Sequence, residues 1–138
     1  MTHYQKLLRI KTAGKSLHKI TDQVQAIVTA SGITTGLCHL FLRHTSASLI
    51  IQENADPDVL QDLENFLTKL VPEWAAYIHN NEGPDDMPAH IRTVLTHTSE
   101  QIPLAQNRLL LGTWQGIYLW EHRQQSNNRE LVVHITGN

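Results

Sequence analysis

The chain has 138 residues, 41% hydrophobic and 17% charged, with a formal net charge of -2 at pH 7. This is the composition of one globular domain large enough to bury a core, and it excludes a disordered chain. So little net charge supplies no field to attract nucleic acid or an anionic membrane, so neither is an expected partner.

No apolar run approaches the roughly 20 residues of a membrane span. The start, Met1-Thr2-His3-Tyr4-Gln5-Lys6, lacks the apolar stretch of a signal peptide. A soluble, cytoplasmic protein is the expectation. The single cysteine, Cys38, excludes an intrachain disulfide and fits a reducing compartment. It lies in an apolar run, which predicts a buried, inert thiol.

Residues 3–12 alternate loosely and predict an edge strand, with lysines that discourage sheet-to-sheet pairing. Gly14 breaks it. A helix is expected from Thr21 to Ala30, with Asp22 and Gln25 as a capping box or Thr21 as cap, and Ser31-Gly32 as the stop. Leu37 to His44 reads as a strand with Cys38, Leu40 and Leu42 on one face. His44 ends that face, and His39 and Arg43 lie on the other. Leu49-Ile50-Ile51 resumes a strand.

Asp56 and Pro57 open a second helix as N-cap and N1. Its residues Val59, Leu60, Leu63, Phe66, Leu67, Leu70 and Val71 recur at helical spacing, and core packing is the expected use of that stripe. Pro72 ends it. A polar loop, Asn80 to His90, leads to a short helix from Pro88 to Leu95 with Ile91, Val94 and Leu95 inward. Ile102-Pro103-Leu104 predicts a brief strand or connector. Arg108 to Thr113 and Trp114 to Arg123 predict two strand segments hinged near Gly112, and Glu130 to Thr136 a last strand with Leu131, Val133 and Ile135 on one face. There is no repeat and no linker, so residues 1–138 are expected to form a single domain. The element order lacks regular βα alternation and predicts an α+β fold with largely antiparallel sheet, two main helices and one short one.

Three histidines are placed to end or flank apolar faces. His44 closes the Cys38/Leu40/Leu42 face, His122 closes the Trp114/Tyr118/Trp120 face, and His90 comes from the polar loop. Converged, they would form a three-histidine divalent-metal site with an open position. Asp85 and Asp86 would then coordinate directly or orient a ligand. The alternative is that each histidine separately bonds a carbonyl or faces water. Asp86 has a second reading as the cap of the short helix, leaving Asp85 the freer carboxylate. His44 and Ser46 share a strand face and could both bind a ligand oxygen, with Thr45 between them. Thr and Ser pairing across strands is the competing use. Trp114 could stack on a planar ring and Gln115 read its edge, or Trp114 could be core or subunit interface.

The stretches His44-Thr45-Ser46-Ala47-Ser48, Asn54-x-Asp56-Pro57, Asp85-Asp86-Met87-Pro88-Ala89-His90, Gly112-Thr113-Trp114-Gln115-Gly116-Ile117 and Glu121-His122-Arg123 occur in this order. They resemble the YjbQ-like family, across essentially the whole chain. The resemblance implies a compact α+β fold built around a β-sandwich and assembled as a homotrimer. It also implies a secondary thiamine-phosphate synthase activity, joining hydroxymethylpyrimidine diphosphate to thiazole phosphate with release of diphosphate. Site residues implied are His44, Ser46, Asn54, Asp85, Asp86, His90, Gln115 and His122. Displacing diphosphate calls for a divalent cation. The carboxylates suit magnesium and the histidines zinc. A non-catalytic trimeric module that binds a small phosphorylated metabolite or a metal is the alternative.

Overall fold

Two antiparallel sheets face one another, and the alternation of their strands explains what lies between them. In this computed structural model, which describes all residues 1–138, the strands are β1 (Thr2–Lys11), β2 (Ser16–Lys19), β3 (Gly36–Leu42), β4 (Ala47–Glu53), β5 (Ser99–Ala105), β6 (Arg108–Leu109), β7 (Gln115–Glu121) and β8 (Asn128–Gly137). The helices are α1 (Thr21–Ser31), α2 (Pro57–Leu70) and α3 (Asp86–Leu95). One sheet runs β1-β8-β3-β5-β6 and the other β2-β7-β4. The fold is the expected single-domain α+β sandwich.

Cys38, Leu40 and Leu42 of β3 and Leu131, Val133 and Ile135 of β8 point inward, as their alternation predicts. Leu49 of β4 and Ile117 and Leu119 of β7 meet them from the other sheet, and α1 adds Val24, Ile27 and Val28. The Cys38 thiol is fully buried, and burial pushes its pKa up to about 12. At the start of the β3–β8 ladder, Gly36 and Gly137 pass backbone to backbone. A Cβ on Gly36 would stand 1.9 Å from the Thr136 carbonyl oxygen.

Several expectations are corrected. The short strand β2 was not anticipated; it pairs with β7 through Leu17 and Trp120. No capping box forms on α1. Its N-cap is Ile20 without a side-chain bond. Thr21 Oγ1 instead accepts from Ile117 N, and Gln25 reaches Asn107 and Leu109. Only Arg108–Leu109 of the segment 108–113 is strand, whereas β5 is a full seven-residue strand.

Helix α2 begins as expected, with Asp56 Oδ1 accepting from Asp58 N at 2.9 Å. Its apolar stripe, however, is not spent on the core. Leu67 is its only buried residue, while Phe66 is 64% and Leu70 56% exposed. Helix α3 is turned the other way from its hydrophobicity. Val94 is 82% exposed, and the buried positions are Asp86, Pro88, Ala89, Arg92 and Thr93. Arg92 explains the reversal. Its guanidinium donates to Glu64 Oε2 at 2.8 Å and Thr68 Oγ1 at 3.1 Å on α2. Glu64 also accepts from Trp120 Nε1 at 3.1 Å. Pairing offsets part of the cost of burying an arginine, and this one clamps both helices over β4 and β7.

Candidate metal centre

The loop before α3 turns at Gly83, whose φ of 103° favours glycine. This turn sets Asp85 and Asp86 at the helix start. Neither caps it through its side chain: the N-cap position is Asp85, in helical conformation, with no such bond. Arg123, just after β7, gathers the loop instead. Its Nε donates to Asp85 Oδ2 at 2.9 Å, Nη1 to Asp86 Oδ1 at 2.8 Å, and Nη2 to the Glu82 carbonyl at 2.8 Å. Asp85 Oδ2 accepts a further bond from Gln124 N. Burial pushes the Asp85 carboxyl up, but the Arg123 and Gln124 bonds outweigh it and hold the pKa below the usual range. Asp85 is therefore a locked scaffold group, not the freer carboxylate expected.

Asp86 is the carboxylate that faces the histidines. Its side chain is 2% exposed, and Oδ2 turns away from Arg123 toward two histidines. His79 Nε2 donates to it at 2.6 Å, and His90 Nε2 lies 3.4 Å away. Burial again acts upward on Asp86, and the His79 bond with the Arg123 and His90 charges brings the net shift down. His90 Nδ1 donates to the Thr45 carbonyl at 2.8 Å. That bond fixes the ring and leaves Nε2 as the lone-pair nitrogen, the second-shell device common to metal-bound histidines.

The ligand atoms of His79, Asp86 and His90 lie within 4.8 Å of one another. Tetrahedral zinc, with bonds of about 2.0–2.1 Å, wants its ligands roughly 3.3 Å apart, so closure takes small side-chain turns and loss of the proton that His79 Nε2 donates to Asp86, which an entering metal displaces. Two imidazoles and one carboxylate suit zinc or a neighbouring transition metal better than magnesium, which prefers oxygen. His90 opens on a cleft of about 620 Å³ lined also by Phe41, Arg43, His44, Thr45 and Thr93. His79 opens on a second hollow under the 73–87 loop.

The expected trio of His44, His90 and His122 does not converge. His44 lies in the cleft, but its Nε2 accepts the Glu130 N–H at 2.7 Å. Burial first and then the Arg129 charge lower its pKa. His122 is fully buried, with Nε2 2.9 Å from Ser48 Oγ and Nδ1 without a partner. Burial, with Arg92, Arg129 and Lys15 behind it, pushes its pKa down to about 3. Ser46 Oγ accepts from Arg129 Nη2 at 3.0 Å, and Arg129 in turn pairs with Glu121 inside the sandwich.

The ring-gripping set is elsewhere. Asn54 Nδ2 donates to the Thr113 and Gln115 carbonyls, Gln115 Oε1 accepts from Gly112 N, and Trp114 is 65% exposed. They close a turn at the far end of the β4–β7 ladder, which runs from Ala47↔Glu121 to Glu53↔Gln115. Six residues of strand put about 20 Å between the two ends. The residue missed in the sequence is His79. The signal available was Asp86-x-x-x-His90, an i,i+4 ligand spacing on one helix face.

Fold and site together define a small α+β sandwich protein with a candidate divalent-metal centre at the mouth of a polar cleft. The family described as UPF0047 protein YjbQ-like matches residues 6–138. A UPF0047 protein of Synechocystis is 61% identical over 135 residues, covering 97% of this chain and 92% of its own. YjbQ of Escherichia coli O157:H7 is 40% identical, covering 97% and 98%. The crystal structure of an uncharacterized family member from Clostridium acetobutylicum superposes with a TM-score of 0.88 at 36% identity, covering 95% and 99%. The chain belongs to the YjbQ-like UPF0047 family.

Proposed function

We propose that the chain is a metal-dependent enzyme acting on a small phosphorylated metabolite, with His79, Asp86 and His90 as the metal ligands. The observation that carries this reading is the His90 Nδ1 bond to Thr45, which aims Nε2 at the carboxylate that His79 also faces. A divalent ion held there would neutralise charge on phosphate oxygens. Arg43, Thr45 and Thr93 line the adjoining cleft and would orient the anion. Arg123 fixes Asp86 in place, so it positions and does not touch substrate. Ser46 and Ser48 are already bonded, to Arg129 and His122, which disfavours a serine nucleophile.

The specific reaction proposed, from the family resemblance, is secondary thiamine-phosphate synthesis in the cytoplasm. We further propose a homotrimer. Exposed Phe41, Phe66, Leu70, Val94 and Leu95 are the kind of surface a neighbouring copy would cover. Trp114 and Gln115 of a neighbouring copy could then reach a centre they cannot reach within one chain.

A second reading is a non-catalytic trimeric module for a phosphorylated metabolite. It is favoured by the scarcity of free cations: Arg92, Arg123 and Arg129 are all paired with carboxylates. Arg43 alone among lysines and arginines lines the cleft.

The test is metal analysis of tag-free protein, followed by product formation from both thiamine precursors with and without chelator. Chelator-sensitive product that disappears in His90→Ala supports the enzyme reading. Ligand binding by thermal shift with no product under any metal supports the module. Metal-free protein that takes up no zinc sinks the centre itself.

A further inference from the structure

We propose that the outer face of the five-stranded sheet carries a second, separate transition-metal site formed by His3, His39 and His134. Three adjacent strands supply one imidazole each. His39 of β3 lies directly opposite His134 of β8. His134 lies opposite Gln5 of β1, and His3 is two residues from Gln5, on the same face. The rings already gather there. His134 stands 5.8 Å from His3 and 6.2 Å from His39 between centroids.

The central ring of the three is already held. His134 Nδ1 bonds Gln5 Oε1 at 2.8 Å, which holds the ring and leaves Nε2 free for a metal, as Thr45 does for His90. A directly opposed pair on neighbouring strands has Cβ atoms about 4.5–5.5 Å apart, a span that two imidazole ligands of one ion can close. The trio is looser than the His79 group, and closing it needs ring rotation about χ2, a soft torsion in histidine. Its neighbours on the face are uncharged: Gln5, Thr136, and Gln101 opposite His39. An all-imidazole set without carboxylate selects zinc, cobalt or a similar ion over magnesium or calcium.

This site is distinct from the one at His90. Thr45, which holds His90, is six residues beyond His39 and lies past the end of β3 at Leu42. The two can therefore be lost independently.

The experiment is titration of the tag-free, metal-stripped chain with zinc by calorimetry and with cobalt by its visible absorption. His39→Gln, His134→Gln and His90→Ala are run beside the wild type. Both glutamine variants keep a long polar side chain on an outer strand position, and a thermal melt of each checks the fold. The expected result is that either glutamine variant weakens zinc and cobalt at one site by about 10-fold or more, and that His90→Ala leaves that site intact. In an NMR titration with cobalt, the imidazole signals of His3, His39 and His134 should shift together. Zinc binding unchanged in both His39→Gln and His134→Gln would overturn the proposal. So would loss of the same site in His90→Ala.

Discussion

His90 Nδ1 lies 2.8 Å from the carbonyl oxygen of Thr45, so a backbone atom decides which imidazole nitrogen faces Asp86. Removing the ring should abolish what that orientation serves. His90→Ala and His79→Ala are each expected to lower zinc affinity by about 10-fold or more. Calorimetry with the melting temperature measured in parallel checks this. Full affinity in both variants would exclude the centre.

Arg123 holds two buried carboxylates and a loop carbonyl at once. Replacing it leaves those charges uncompensated. Arg123→Met is expected to cost about 3–5 kcal/mol, read as a lower midpoint in urea, and to release the 80–85 loop to proteolysis. A loss below 1 kcal/mol would mean that water replaces the guanidinium.

The acid limb of stability follows from three carboxyls. Asp85, Asp86 and Glu121 are all held below their ordinary values. For Glu121, burial acts upward and the Arg129 and Thr12 bonds overcome it. Each therefore contributes stability that is complete above its unfolded-state pKa. That stability is lost as pH falls through the depressed folded value. Urea midpoints should drop steeply below the ordinary carboxylate range, and less steeply in Arg123→Met.

His122 adds a limb at milder pH. Its pKa falls from 6.5 unfolded to about 3 folded, so the unfolded chain takes the proton first. Stability contributed by the neutral, buried ring is complete above 6.5 and is lost as pH falls toward 3, by up to about 1.4 kcal/mol per unit. His122→Leu should flatten the stability profile between pH 7 and 5. An unchanged slope would show that the ring is protonated in place.

Sequence pattern located the sheets because Cys38, Leu40, Leu42, Leu131, Val133 and Ile135 alternate and all face one core. It located the start of α2 because Asp56-Pro57 is local chemistry. It misjudged the outer helices because hydrophobicity does not say which surface is covered. Arg92 turns α3 polar side inward only once Glu64 and Thr68 are beside it. The strand-end histidines were expected to join His90, but the side chains that gather beside it are His79 and Asp86. His44 and His122 were judged by their place on apolar faces, and both nitrogens that matter were already engaged, by Glu130 N and Ser48 Oγ.

The exposed stripe of α2 separates assembly from folding. Leu67→Ala should cost about 2–5 kcal/mol, as a buried truncation does. Phe66→Ser and Leu70→Ser should stay within about 0.5 kcal/mol for an isolated chain, yet dissociate a trimer that uses this face. Sedimentation at several concentrations reads the difference. A wild-type monomer at micromolar concentration would count against the trimer.

Gly36 tolerates no side chain. A Cβ there would stand 1.9 Å from Thr136 O and 2.8 Å from the Gly137 Cα, and backbone cannot swing aside as a side chain can. Gly36→Ala should part β3 from β8 at that end and destabilise by about 3 kcal/mol or more. Amide exchange along β3 and β8 would show where the ladder opens.

Cys38, fully shielded with its thiol near 12, gives the protein a built-in clock. In the folded chain an alkylating reagent meets a protonated sulfur behind two sheets, and in the unfolded chain an ordinary reactive thiol. The rate at which iodoacetamide captures that single sulfur reports the population in which β3 is open, and becomes the opening rate itself once reagent outpaces reclosing.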